Sequence, residues 1–379
     1  MSRDALTHHL AVPKIWLAQG LFTELPAIPF SYYPMNLDLL YLIPLYFGND
    51  IAPKYIHFAF ALLTAGLIYF HLKRRLNPLY GLLGALFFLS IPVIVKLSIT
   101  VYVDLGLIFF STAALLNLIY WFENRQQRRH LVLSAVWCGL ALGTKYNGLI
   151  VLFLLTAFVP ILYLRRPDSG AARKSGRSQL AALASGTLFV VVALMVFSPW
   201  MVKNIQMTGN PVYPLYNSFF KHKGGAQKVA RDGKEAVVSN TKKAAKKPGW
   251  KNFAVRKLVY GESLWQIGLI PLRVFFEGRD DEPKYFDGQL NPFLLILPLM
   301  LFLPGVRPGT IRMGECRILA LFAVGYMLFV FFRVDMRIRW IGPIIPPLVI
   351  LSIYGLERIQ GLGPDSGGGW KRLFFRSGV

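Results

Sequence analysis

The feature that most constrains this chain is a series of apolar runs, each close to the length needed to cross a lipid bilayer. A spanning helix takes about 20 mostly apolar residues, at a rise of about 1.5 Å each. Runs of that kind occur at residues 55–72, 79–97, 101–122, 148–164, 180–201, 318–332 and 341–356. Two shorter ones, 131–143 and 292–304, suit a partial or re-entrant span. Pro and Gly within these runs do not argue against spanning, because neighbouring helices can satisfy the freed backbone groups. Composition agrees. The chain is 54% hydrophobic and 16% charged, whereas soluble domains carry about 25% charged residues. The expected fold is all-α, a polytopic transmembrane bundle of about 8–9 spans.

A formal charge of +23 would suit a nucleic-acid binder only if it were gathered on one soluble face. Here the positive residues fall between the apolar runs, so no nucleic-acid partner is expected. They fix orientation instead, since short Lys- and Arg-rich loops stay in the cytoplasm. Lys73, Arg74 and Arg75 form one such loop, and Arg125, Arg128 and Arg129 the next. Arg165, Arg166, Arg173, Lys174 and Arg177 form a third, Arg307, Arg312 and Arg317 a fourth, and Lys371, Arg372 and Arg376 close the chain. The loops alternate correctly if residues 55–72 enter from outside. Long loops translocate largely regardless of charge, so the Lys-rich segment 204–291 can lie outside.

The expected organisation is therefore a first outer loop with interfacial helices (1–54) and a first membrane block (55–203). An outer-face basic loop (204–290), C-terminal spans (291–357) and a cytoplasmic tail (358–379) follow. Nothing apolar in this sequence precedes Asp4 to carry the first loop outward, so a spanning helix is expected upstream of it. Cys138 and Cys316 lie within or beside apolar runs and are expected as free thiols. The stretch 219–250 would be a solvated basic loop or would bind anionic lipid headgroups.

On this topology the outer face collects the unusual polar residues. Asp4 lies in the first loop, and Asp104 opens the run 101–122. An acid at a helix N-terminus can simply complement the helix dipole; an ionisable group near membrane depth can also mark a substrate path. Lys145, Lys203, Arg337 and Arg339 all fall at outer helix ends, where a cation is either a snorkelling anchor or a partner for phosphate. His8 and His9 are adjacent, and two histidines fall short of the three or four ligands a zinc site needs. His57 and His71, near the ends of one run, are expected at the interface. No phosphate-loop or dinucleotide fingerprint is present.

The segments DALTHHLAVPKIWLAQG, YYPMNLDLLYLIPLYFG, YVDLGLIFF, GLALGTKYNGL, SPWMVKNIQMTGNPVYP and RIRWIGPIIPPL resemble, in order, bacterial GT-C glycosyltransferases. The resemblance is to relatives of protein O-mannosyltransferases and of the lipid A aminoarabinose transferase, and covers roughly residues 4–356. It implies a hexosyl or pentosyl transferase that takes its sugar from a polyprenyl phosphate and inverts the anomeric carbon. The acceptor would be a lipid, glycan or protein of the cell envelope, reached from the outer face of the bacterial inner membrane. Asp4 matches the family's acid in the first outer loop and would be the general base. Asp104 matches a second Asp and would position the acceptor or a divalent metal, whose requirement stays open. Thr144-Lys145 matches a Thr-Lys pair, and Arg339-Trp340-Ile341-Gly342-Pro343 matches a late Arg-Tyr-x-x-Pro pattern with Trp in place of Tyr. Lys145, Arg337 and Arg339 would hold donor phosphate, with His8, His9 and Lys203 also lining the substrate site.

Two other classes fit the same residues. A transporter or flippase for a lipid-linked sugar would place polar sites at the bilayer midplane between repeats, and the long runs show neither repeats nor a midplane acid. A non-catalytic subunit of an envelope assembly complex is the other.

Overall fold

The computed structural model describes residues 4–20, 22–124, 127–165, 176–220, 250–302, 313–333 and 336–360. Much of the basic stretch, the charged loop residues Arg125, Arg166, Arg173, Lys174, Arg307 and Arg312, and the tail arginines lie outside them. Every regular element among the described residues is helical. A π-helical turn, Ala5–His9, leads into α1 (Ala11–Gln19), and a short 3-10 turn, Pro29–Tyr32, precedes α2 (Asn36–Tyr46). Then follow α3 (Ala52–Arg75), α4 (Pro78–Ser90), α5 (Pro92–Ser98), α6 (Asp104–Glu123), α7 (Arg128–Thr144), α8 (Gly148–Leu164) and α9 (Gly176–Thr208). The short helices α10 (Asn217–Phe220), α11 (Trp250–Leu258), α12 (Leu264–Gly268) and α13 (Ile270–Arg273) occupy the long loop. The chain closes with α14 (Phe293–Leu299), α15 (Met313–Arg333), a 3-10 turn at Ile338–Ile344 and α16 (Ile345–Gln360).

Local sequence explains several boundaries. Asn77 caps α4 by accepting a hydrogen bond from the Tyr80 N–H, with Pro78 in the first turn, where a missing N–H costs nothing. The run 79–97 does not make one straight helix. Pro92 cannot donate to the preceding turn and forces Ile91 into an extended conformation, so α4 and α5 meet at a 69° bend. The Val93 N–H is then met by the Gln289 carbonyl at 3.2 Å, tying the bend to the outer loop.

Among the described residues five helices are long and apolar enough to cross a membrane, and a sixth span follows if the bent pair counts as one. This is fewer than expected. At about 1.5 Å per residue, α7 and α8, with 17 residues each, fall short of a full hydrocarbon core. The run 292–304 yields only a seven-residue helix before it tightens into a 3-10 turn. Helix α6 is buried on nearly all sides, as an evenly apolar helix at the centre of a bundle should be. By contrast α9 leaves Leu180, Leu183, Val191 and Met195 exposed, a lipid-facing surface for a membrane helix.

The two ends of the bundle differ in chemistry. At one end, the C-terminus of α3 brings His71 and Arg75 to Glu315 at the start of α15. His71 Nε2 lies 2.6 Å and Arg75 Nη2 2.8 Å from the carboxylate, and the Tyr354 hydroxyl donates to it at 2.6 Å. Arg75 also grips both oxygens of Glu123 at the end of α6. His57 and His71 lie near the two ends of α3 and are buried within the protein, where each has polar partners for its ring nitrogens. Helix α15 begins at Met313 and takes in Glu315 in its first turn, at the end of the span and away from its middle. The opposite end gathers the N-termini of α3 and α6, the C-termini of α5 and α7, and the first loop. That end holds the candidate site.

Candidate active site

The wide π-helical turn is closed by the Leu10 N–H donating to the Ala5 carbonyl at 2.9 Å. It places Asp4, His8 and His9 along one cavity, and single π-turns of this kind recur at functional sites. Asp38, in the first turn of α2, reaches the same cavity. Leu37, its neighbour, is buried against Gly106 of α6, where an added Cβ would collide with it. Asn36 bridges to the far side, donating to the Leu140 carbonyl of α7 and accepting from Trp200 Nε1 of α9 at 2.7 Å.

Asp104 is the first residue of α6 and is 2% exposed. A histidine holds that helix end. His57 Nε2 accepts the Leu105 N–H at 3.0 Å, while Nδ1 lies 3.0 Å from both the Leu97 and Thr100 carbonyls. An amide can only donate and a carbonyl can only accept, so the ring carries its proton on Nδ1 and is neutral. The Asp104 carboxylate meets Lys145 Nζ at 2.7 Å. Lys145 stands where α7 ends and the backbone turns extended.

The fourth contribution comes from the 3-10 turn ahead of α16. The Ile338 N–H donates to the Phe286 carbonyl, which sets Arg339 facing the cavity. Its Nη1 lies 2.6 Å from Asp4 Oδ2, and its guanidinium sits 5.2 Å from the centroid of the Tyr102 ring. Tyr102 is itself held by the Tyr41 hydroxyl, which donates to its carbonyl. Together these segments enclose about 390 Å³, walled additionally by Phe30, Tyr33 and Trp340. That is within the usual size range of small-ligand pockets, about 300–1,000 Å³.

The ionisable groups of the cavity come in pairs: Asp4 with Arg339, Asp104 with Lys145, and Asp38 with His9, whose Nδ1 lies 2.7 Å from Oδ1. Burial alone would raise the Asp4 carboxyl, but the Arg339 hydrogen bond and charge outweigh it and hold Asp4 below the ordinary carboxylate range. His8 goes the other way for a base. Burial, then the neighbouring His9, push it down to about 3. It therefore faces the cavity as a neutral ring, stacked on Phe30 with centroids 4.5 Å apart.

Of the residues expected at the site, Asp4, His8, His9, Asp104, Lys145 and Arg339 line this cavity. Lys203 and Arg337 do not. Lys203 donates to the Ser31 carbonyl at 2.5 Å and sits over the Trp16 and Trp200 rings, where it clamps the first loop to α9. Arg337 turns to Asp287 at 3.6 Å and to Trp340, on the outer-loop side. Asp38 was not expected at all, and its signal was available: a lone acid inside the apolar stretch NLDLLYLI. Among the described residues no three His, Cys, Asp or Glu side chains converge as a metal-ligand set, so none is assigned as a ligand. Cys138 and Cys316 are buried free thiols.

Residues 21–206 match the family model described as "Dolichyl-phosphate-mannose-protein mannosyltransferase". No curated protein is detectably similar by sequence. Among solved structures, the crystal structure of ArnT from Cupriavidus metallidurans in the apo state is similar in fold, with a TM-score of 0.54 and 18% identity. The alignment covers 97% of this chain and 56% of that one, so this chain spans little more than half of its structural neighbour.

Proposed function

We propose that the chain is a GT-C-type membrane glycosyltransferase, a reading supported by the family model that residues 21–206 match, and that it transfers a sugar from a polyprenyl phosphate to a hydroxyl-bearing acceptor of the cell envelope. The acceptor is a lipid, glycan or protein, and the reaction takes place at the outer face of a bacterial inner membrane. One observation carries this reading: chain segments more than 300 residues apart bring two acid–cation pairs, Asp4·Arg339 and Asp104·Lys145, onto one small cavity at a single end of the bundle.

The chemistry follows from those pairs. The acceptor oxygen attacks the anomeric carbon as the carbon–oxygen bond to phosphate breaks, with inversion, and the acceptor hydroxyl gives its proton to Asp4. Arg339 engages Oδ2 of Asp4 and leaves Oδ1 for the acceptor hydroxyl. Since Arg339 keeps that carboxyl ionised, a base is present throughout the neutral range. Lys145 and Arg339 face the charge that grows on the departing phosphate, and Asp104 holds Lys145 in place. The aromatic walls, Phe30 with stacked His8, Tyr33 and Trp340, give the sugar ring flat apolar contacts.

Asp4→Asn tests the assignment, because it keeps the shape and removes the base. Transfer from a polyprenyl-phosphate sugar should fall by about 10²–10⁴-fold, the usual worth of a positioned base, while the protein still accumulates in the membrane. Wild-type transfer by Asp4→Asn removes this residue from the chemistry.

A further inference from the structure

Asp4 takes a proton at one side of the reacting carbon, and nothing assigned so far gives one to the phosphate that leaves. The third acid–base pair of the cavity is free for that task. His9 is 7% exposed and Asp38 1%, and the two come from different elements, the π-helical turn and α2. The Nδ1–H donates to Asp38 Oδ1 at 2.7 Å. Among the described residues nothing hydrogen-bonds Nε2, and the ring lines the cavity, so Nε2 is left for the occupant. The Tyr102 ring stands edge-on to the imidazole, with centroids 6.1 Å apart, and fixes its plane.

We propose that His9, oriented and charge-balanced by Asp38, is the proton donor to the polyprenyl phosphate as it leaves, with Asp38 as the positioning residue. This rests on the transferase reading above. The balance is complete without another reactant. The acceptor proton passes to Asp4, the Nε2 proton of His9 passes to a phosphate oxygen, and the sugar moves to the acceptor oxygen. Asp4 and His9 then exchange one proton through solvent to reset the site.

Two properties single out this pair. The first is affinity for protons. A departing phosphate monoester takes up a proton, and an imidazole paired with a carboxylate is a group that can both carry a proton and release it. A lysine or arginine binds its proton too tightly to give it up, and an ionised carboxylate has none to give. The second is charge. Asp4, Asp38 and Asp104 bring three negative charges, and Arg339 and Lys145 bring two positive ones already engaged. A phosphate entering with neutral His9 would meet a net negative wall, whereas an imidazolium at His9 balances it.

The groups around His9 sharpen the pH dependence. His8 and Asp4 face it from its own turn, Asp38 from α2, and His57 from α3. Asp104 and Lys145 close the cavity on the far side with Arg339. Of these, His8 stays neutral above about pH 3, and His57 is fixed in its neutral form by its three backbone contacts. Neither supplies an alternative proton.

The test uses the full chain in lipid nanodiscs containing undecaprenyl phosphate, with isotope-labelled histidine followed by NMR across the neutral range. The lipid phosphate is expected to shift His9 Nε2, and its affinity to fall about tenfold from mildly acidic to mildly alkaline pH. His9→Gln should remove both effects, Asp38→Asn should move the step to lower pH, and Asp38→Glu should restore it. An unresponsive His9 resonance, or the same pH step in His9→Gln, overturns the proposal. Turnover of an undecaprenyl-phosphate sugar is followed alongside. Wild-type protein that holds the phosphate through His9 but consumes no donor supports the contact and overturns the transferase reading.

Discussion

At the scale of single residues, the site is a set of charges that stabilise one another, and its weak points follow from burial. Asp104 is almost wholly enclosed and Lys145 is its direct partner. Removing one member of a buried pair costs about 3–5 kcal/mol, because the other charge is stranded. Lys145→Met should therefore destabilise the protein more than Lys145→Met combined with Asp104→Asn, and thermal unfolding of the two in the same lipid checks the order. Equal or additive losses would mean the pair is not coupled. His8 gives a sign that can be worked out. It takes up a proton only near pH 3 in the fold but near 6.5 when unfolded, so the unfolded chain binds more protons between those values. Stability must then fall as pH drops below 6.5, and His8→Gln should flatten that fall. Between neutrality and mild acid the same substitution should leave the pH profile of transfer unchanged, since His8 carries no charge there. Asp4 has the same sign in a more acidic window. Its depressed carboxyl binds fewer protons in the fold than in the unfolded chain, so the stability of the Arg339 pair is lost as pH falls through and below the ordinary carboxylate range.

Helices set these residues to within hydrogen-bond reach, and two junctions do most of the positioning. His57 joins α3 to the end of α5 and to the first turn of α6. His57→Ala strands the buried Leu105 N–H, at about 1–3 kcal/mol, and loosens the turn that carries Asp104. The expected result is a lower unfolding temperature together with weaker donor binding; loss of stability with unchanged binding would confine His57 to packing. The other junction is at Gly143, where an added Cβ would overlap the Asn36 amide. Gly143→Ala should displace the start of α2, two residues before Asp38, at about 1–3 kcal/mol for overpacking, and its effect is read from unfolding temperature and turnover together.

What the sequence made legible follows the same division. Asp104, Lys145 and Arg339 stand at ends of apolar runs, where polarity is conspicuous. Asp4 came through the motif that holds it. Asp38 was legible as a lone acid inside an apolar stretch, but its pairing with His9 is a tertiary fact that no local pattern encodes. His57 and His71 look like interfacial residues because their partners come from distant helices. Lys203 and Arg337 share the outer position of the cavity cations, but charge and side of the membrane say nothing about which way a long side chain turns.

For the whole molecule, the two polar ends predict how the chain lies in the membrane. The Glu315 cluster and the Lys73–Arg75 cations occupy the end opposite the cavity. With Cys138 and Cys316 replaced, a single cysteine at Thr100 should label from outside intact cells and one at Gly314 should not. Labelling of both from the same side would break the topology that puts the cavity outside. The bend between α4 and α5, fixed to Gln289, and Ile338, fixed to Phe286, tie the long outer loop to the same end. That loop therefore forms part of the frame around Arg339.

The most direct measurement is product formation by the purified full chain in nanodiscs, given a panel of radiolabelled polyprenyl-phosphate hexoses and pentoses with a cell-envelope extract as acceptor. The expected result is transfer of label to the acceptor, with release of polyprenyl phosphate and loss of both in Asp4→Asn. Wild-type protein that binds these donors yet leaves every one of them intact contradicts the assignment of a transferase to this cavity.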